Sequence, residues 1–261
     1  MREPERQDAL RARLAERELD ALLISDLVNV RYLTGYVGSN ALGVIAAGGA
    51  RLVTDSRYAT SARAQVQGAD VVIGTRDLVA DAAHVLAELA PGGRVGVEAD
   101  DLTLTRHERI AEALNGSELV PVRGLVEEER IRKSPEEIAL VRVAADMADA
   151  ALAQVLAEGL EGRPERDVAF AVLRALHDAG AEEPSFPPIV AAGPRGAMPH
   201  AVPGDAPIPS GTLVVIDLGA VHAGYCSDMT RTVPLGPVPA ELAEISRVCL
   251  AAQTAALAAV R

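Results

Sequence analysis

The chain has 261 residues, of which 49% are hydrophobic and 24% charged, with a net charge of −12. That is globular composition with room for one large domain or two ordinary ones, and the acidic balance excludes a nucleic-acid binder, which needs a basic surface to displace counterions. Two cysteines make no disulfide framework, no stretch approaches the roughly 20 apolar residues of a membrane helix, and the charged N-terminus lacks a signal peptide's apolar core, so no membrane role and a cytoplasmic location are expected.

In chain order, residues 1–20 read as helical, with Leu10, Leu14 and Leu19 near helical spacing, and Ala21–Ser25 as a short buried strand. Strands follow at Leu42–Ala47 and Ala50–Thr54, around Gly48-Gly49. Helices at Tyr58–Gln67, Val79–Leu89 and Thr105–Leu114 then alternate with strands at Asp70–Ile73, Arg94–Val97 and Glu118–Pro121. This rhythm is α/β, and the short apolar strands suit a sheet covered on both faces. A boundary is expected within 121–134, where the charge run Glu127–Lys133 reads as a solvated connector.

Ser134-Pro-Glu-Glu137 has the signature of a helix start: serine at the cap, proline at the first turn, glutamate three residues on. Gly159 can end that helix. A second helix is expected over Pro164–Ala179, then strands near Pro188–Ala192 and Leu213–Leu218. A last helix opens near Pro239 and carries no stop signal before Arg261, so the chain is expected to break off inside a domain.

The run Thr212–Arg231 reads as a β-hairpin with two carboxylates. A two-residue turn at His222-Ala223 sets Asp217 directly opposite Asp228. Opposed residues have Cβ atoms roughly 4.5–5.5 Å apart, and like charges there destabilise the sheet. A bound cation, or a pair of cations, is the simplest remedy. Alone, each aspartate reads as a strand-end or turn residue; together they read as metal ligands. His200, stiffened by Pro199 and Pro203 in the loop before the hairpin, is a candidate donor to substrate. Cys226 and Thr230 share the parity of Asp228, but a lone cysteine is better read as a small strand residue than as a zinc ligand. Arg231 points to the other side, toward a structural salt bridge.

Asn29-Val-Arg-Tyr-Leu-Thr-Gly35 with Thr54-Asp-Ser-Arg-Tyr58 resembles the N-terminal domain of prolidases, aminopeptidases P and creatinase, members of peptidase family M24. Arg132–Ile138 resembles the entry to their pita-bread catalytic domain, Met198–Pro203 the loop with a substrate-contacting histidine, and Val215–Leu218 with Gly224–Thr232 the stretch holding the first two metal-binding aspartates. The resemblance implies an α/β N-terminal domain over 1–125 and an incomplete α+β pita-bread domain over 126–261. It implies hydrolysis of Xaa-Pro bonds with two divalent ions, manganese or cobalt before zinc. Asp217 would bind one metal, Asp228 would bridge both, and His200 would contact the substrate. The partner is a proline-containing peptide, and the family admits a homodimer. The family's remaining ligands, a histidine and two later glutamates, find no counterpart here, so the chain itself is expected to be inactive. Two further readings are a creatinase-like hydrolase without metals and a binding or assembly protein on the same fold.

Overall fold

A computed structural model describes residues 2–114 and 116–260. The chain divides into two compact units, Met1–Ser134 and Pro135–Arg261.

The first unit is a six-stranded sheet in the order β4-β3-β2-β1-β5-β6. Its strands are β1 (Ala21–Ile24), β2 (Ala41–Ala46), β3 (Gly49–Thr54), β4 (Asp70–Ile73), β5 (Arg94–Glu98) and β6 (Glu118–Val122). β1 runs antiparallel to β2 and parallel to β5, and β6 continues parallel. Helices α1 (Glu3–Glu16), α2 (Leu27–Thr34), α3 (Ala59–Gln65), α4 (Leu78–Leu89) and α5 (Leu104–Ala113) complete it. One core packs Leu10, Leu14 and Val30 against Leu22 and Ile24; the other packs Val79, Leu86 and Ile110 against Leu23, Val44 and Val95. Alternate β1 residues therefore feed opposite faces, which is why all four are buried.

The charge run is solvent-facing, as expected, but it is not a connector. It belongs to the first unit as the short helix α6 (Glu127–Ile131). Arg13 of α1 reaches Glu128 at 2.7 Å and Glu129 at 2.5 Å. Fully buried Asn29 donates to Glu98 at 2.7 Å and to Glu127 at 2.5 Å, while Arg130 donates to its side-chain Oδ1 at 2.8 Å. Glu98 also accepts the backbone N–H of Ser25 at 2.6 Å and of Asp26 at 2.7 Å. Burial still outweighs these donors and pushes the Glu98 carboxyl above its ordinary value. A cavity of about 210 Å³ lies beside this lock, at the carboxyl ends of β1, β5 and β6.

The second unit opens with α7 (Pro135–Glu158) and α8 (Glu165–Asp178). Six strands follow: β7 (Glu183–Pro184), β8 (Ile189–Ala192), β9 (Thr212–Leu218), β10 (Ala220–His222), β11 (Tyr225–Cys226) and β12 (Met229–Leu235). They form two three-stranded sheets, β12-β9-β8 and β11-β10-β7. Val214, Ile216 and Leu218 alternate inward onto Ala148, Leu152, Val172 and Leu176 of the two helices. Leu213, Val215 and Asp217 fall on the opposite face and are only half-buried.

The last helix, α9 (Ala240–Ala259), has no buried residue, and Ile245, Val248, Leu250 and Leu257 are all exposed. Its 20 residues are long and apolar enough to cross a membrane by length and composition, which corrects the expectation that no stretch comes close. Glu244 and Arg247 form an exposed ion pair on that helix.

Candidate metal and substrate site

The hairpin forms, with a register different from the expected one. His222 pairs with Tyr225 and Val221 with Cys226, so the two-residue turn is Ala223-Gly224. Both carry positive φ, 49° and 80°. That is the backbone of a type I′ turn, whose twist matches the flanking strands. Gly224 was the available signal, since such a turn favours glycine at its second position.

The corrected register sets Asp217 opposite Thr230 rather than Asp228. Asp228 falls two positions further toward the turn, just beyond the end of β12. The carboxylates are therefore diagonal neighbours on one side of the hairpin. Diagonal positions lie about 7–8 Å apart, so the expected head-on repulsion is relieved by geometry before any ion is considered. The Thr230 hydroxyl donates to Asp217 Oδ1 at 2.7 Å. Asp228 is exposed and has no hydrogen bond or ion pair among the described residues.

The ladder breaks between the carboxylates, where β9 gives way to β10 and β11 to β12. Gly219 sits at the break. A Cβ built there would lie 2.0 Å from Ser185 Oγ and 2.1 Å from the Ser227 carbonyl oxygen. Only glycine lets these groups meet. Ser185 Oγ donates to that carbonyl at 2.7 Å, and the Ser185 N–H donates to the Gly219 carbonyl at 3.0 Å. Buried Ser227 is held at three further points. Its N–H donates to Ala220 O at 2.9 Å, its hydroxyl accepts the Ala220 N–H at 3.0 Å, and the same hydroxyl donates to Ala144 O of α7 at 2.9 Å.

His200 is exposed on a turn after a short 3₁₀ segment, Gly193–Ala197. It makes no hydrogen bond or ion pair with either aspartate among the described residues. Its loop is nonetheless organised. Glu165, 2% exposed, accepts the Ala192 N–H and the Gly204 N–H, both at 2.9 Å, and pairs with Arg195 at 3.0 Å. Arg195 also donates to the Val202 carbonyl. One buried carboxylate thus clamps both ends and the middle of the His200 loop. Sequence reasoning missed Glu165, Arg195, Ser185 and Ser227, because their partners are remote in the chain.

Cys226 is exposed. Desolvation, with a smaller contribution from the Glu183 carboxylate, pushes its thiol up, which disfavours a thiolate ligand. Arg231 is exposed and donates to the Thr230 carbonyl at 2.9 Å; the expected salt bridge is absent among the described residues. The cavity of the first unit is a poorer candidate, because the carboxylate of Glu98 beside it is consumed by chain donors.

Carboxylate oxygens suit hard divalent cations, so the donor set fits such an ion in kind. It is short in number. Among the described residues no group of three or more His, Cys, Asp or Glu side chains is arranged to hold a metal.

The chain is thus an α/β unit followed by a helix-backed hairpin with two carboxylates on the face turned away from the helices. The profile of the creatinase/prolidase N-terminal domain matches residues 6–132, and that of metallopeptidase family M24 matches residues 139–261. The chain belongs to metallopeptidase family M24. It is 36% identical over 254 residues to the uncharacterized peptidase YqhT of Bacillus subtilis, covering 97% of this chain and 72% of that protein. The Xaa-Pro dipeptidase from Bacillus anthracis superposes with a TM-score of 0.91 at 33% identity, over 97% of this chain and 71% of that one. The X-Pro aminopeptidase from Thermotoga maritima superposes with a TM-score of 0.86 at 26% identity, over 95% and 70%. The fold is thus the creatinase-type N-terminal domain followed by pita-bread catalytic architecture over part of its length.

Proposed function

We propose that this chain carries the substrate- and metal-facing hairpin of an Xaa-Pro peptidase. The observation that carries the reading is the pair Asp217 and Asp228 on one side of a hairpin, in a chain of a metallopeptidase family. Relatives named Xaa-Pro dipeptidase and X-Pro aminopeptidase give the substrate class. When bound, divalent ions, manganese or cobalt before zinc, would supply Lewis acidity toward a scissile carbonyl.

The chain's own residues do the rest. Asp217 and Asp228 hold the ions through oxygen. Thr230 removes one rotational choice from Asp217 by donating to Oδ1. His200, on its clamped loop, donates a hydrogen bond to the substrate. A proline-containing peptide meets these groups on the open face of the β8-β9-β12 sheet.

Two protein carboxylates are fewer than the ligands such ions take. The 261-residue chain alone is therefore proposed to hold Mn²⁺ weakly and to turn over little substrate. Titration with Mn²⁺, followed by an Ala-Pro hydrolysis assay, tests both parts. Weak binding abolished by Asp228→Asn is the expected result. Binding that ignores Asp228→Asn sinks the site, and rapid metal-dependent cleavage by this chain alone overturns the half-shell.

A further inference from the structure

We propose that Ser185 is a positioning residue for Asp228; the assignment rests on the metal-site reading above. Asp228 is the less supported of the two carboxylates. Asp217 stands inside a regular strand and has Thr230 to hold it. Asp228 stands where the ladder is interrupted, with no side-chain partner among the described residues. Its direction must therefore come from its backbone.

That backbone is held from one side. The peptide linking Ser227 to Asp228 carries the carbonyl oxygen that accepts from Ser185 Oγ at 2.7 Å. Rotation of this peptide plane swings the Cα–Cβ bond of Asp228, since the two are joined through a single backbone nitrogen. The other Ser227 contacts, to Ala220 and to Ala144, anchor the N–H and hydroxyl of that residue. They leave the plane that leads into Asp228 to Ser185.

Ser185 is itself fixed. It follows β7 directly, and its N–H donates to the Gly219 carbonyl. The hydroxyl can reach across only because position 219 has no Cβ, which would stand 2.0 Å from it. Position 219 therefore has a positive reason to be glycine: it admits the serine that sets the aspartate. No motif marks Ser185, which lies 43 residues before its target.

Mn²⁺ binding to the full chain, followed by calorimetry and by the electron paramagnetic resonance line shape, separates the outcomes. Ser185→Ala should weaken binding by about 10- to 100-fold, the usual range for losing a group that orients a ligand, and should broaden the line shape. Ser185→Thr keeps the hydroxyl and should restore both. If Ser185→Ala does not fold, Ser185→Cys serves in its place, with a weaker donor of similar size. Wild-type affinity and line shape in Ser185→Ala, with binding lost in Asp228→Asn, overturn the assignment of Ser185 while leaving the metal site intact. Unchanged binding in Asp228→Asn overturns the site itself, and the assignment with it.

Discussion

The two units treat their carboxylates in opposite ways. In the first, Glu98 receives two backbone N–H groups and the Asn29 amide, and Asp55 receives the Arg57 guanidinium and the Asn40 amide. Those donors, Arg57 first, hold the Asp55 carboxyl far below the usual range. In the second unit, Asp217 receives one hydroxyl and Asp228 nothing among the described residues. A carboxylate surrounded by donors is spent on structure, whereas one with vacant lone pairs is available to a cation. Position in a fold thus says less about function than how many of an oxygen's partners the chain already supplies.

Variants can break or sharpen this contrast. The largest expected effect is Glu165→Ala, because Glu165 belongs to the structural class although it lies in the second unit. Removing it leaves two backbone N–H groups and Arg195 without their acceptor and should cost about 3–5 kcal/mol, read by urea denaturation. Gly219→Ala places a methyl against the Ser227 carbonyl and should cost about 2–4 kcal/mol; a stable Gly219→Ala protein with unaltered Mn²⁺ binding would contradict the packing at the ladder break. Asn29→Ala should cost about 2–3 kcal/mol by removing the amide shared by Glu127 and Arg130 and leaving Glu98 with its backbone donors alone, and should leave Mn²⁺ affinity unchanged in calorimetry. Thr230→Val should do the reverse, lowering Mn²⁺ affinity by about 10-fold with little loss in the denaturation midpoint.

The smallest effect concerns pH. Burial raises the Glu98 carboxyl above its unfolded value. Its contribution to stability is therefore full below the unfolded pKa and is lost as pH rises through the folded one. As pH rises above the ordinary carboxyl value of 4.5, wild type should lose denaturation midpoint relative to Glu98→Gln, which does not titrate. A constant difference between the two proteins over that rise would show that the donors outweigh burial.

Much of the architecture was legible in the sequence, because strands and helices alternate with clear punctuation. Ser134-Pro-Glu-Glu137 marked the start of α7, and Gly159 its end. The two aspartates were legible as a pair. Their register was not, because Ala223-Gly224 is a weaker turn signal than Asn-Gly and the choice among neighbouring dipeptides shifts every partner. The clamps were illegible for another reason. Glu165 and Arg195 are 30 residues apart, and Ser185 and Ser227 are 42 apart, so no local pattern joins them. α6 was misread as a connector because the partners that tie it to the first unit, Arg13 and Asn29, are remote in the chain.

The turn at Ala223-Gly224 is also a counting device. Successive residues of a strand point to opposite sides, so a shift of one residue sends every side chain to the other face. A one-residue change between His222 and Tyr225 that passed into the β9–β12 pairing would leave Asp217 where it is and send Asp228 to the opposite side. Two residues that bear no functional group therefore help set the parity of the site, and a change of loop length there is harmless only where the turn absorbs it without shifting the ladder.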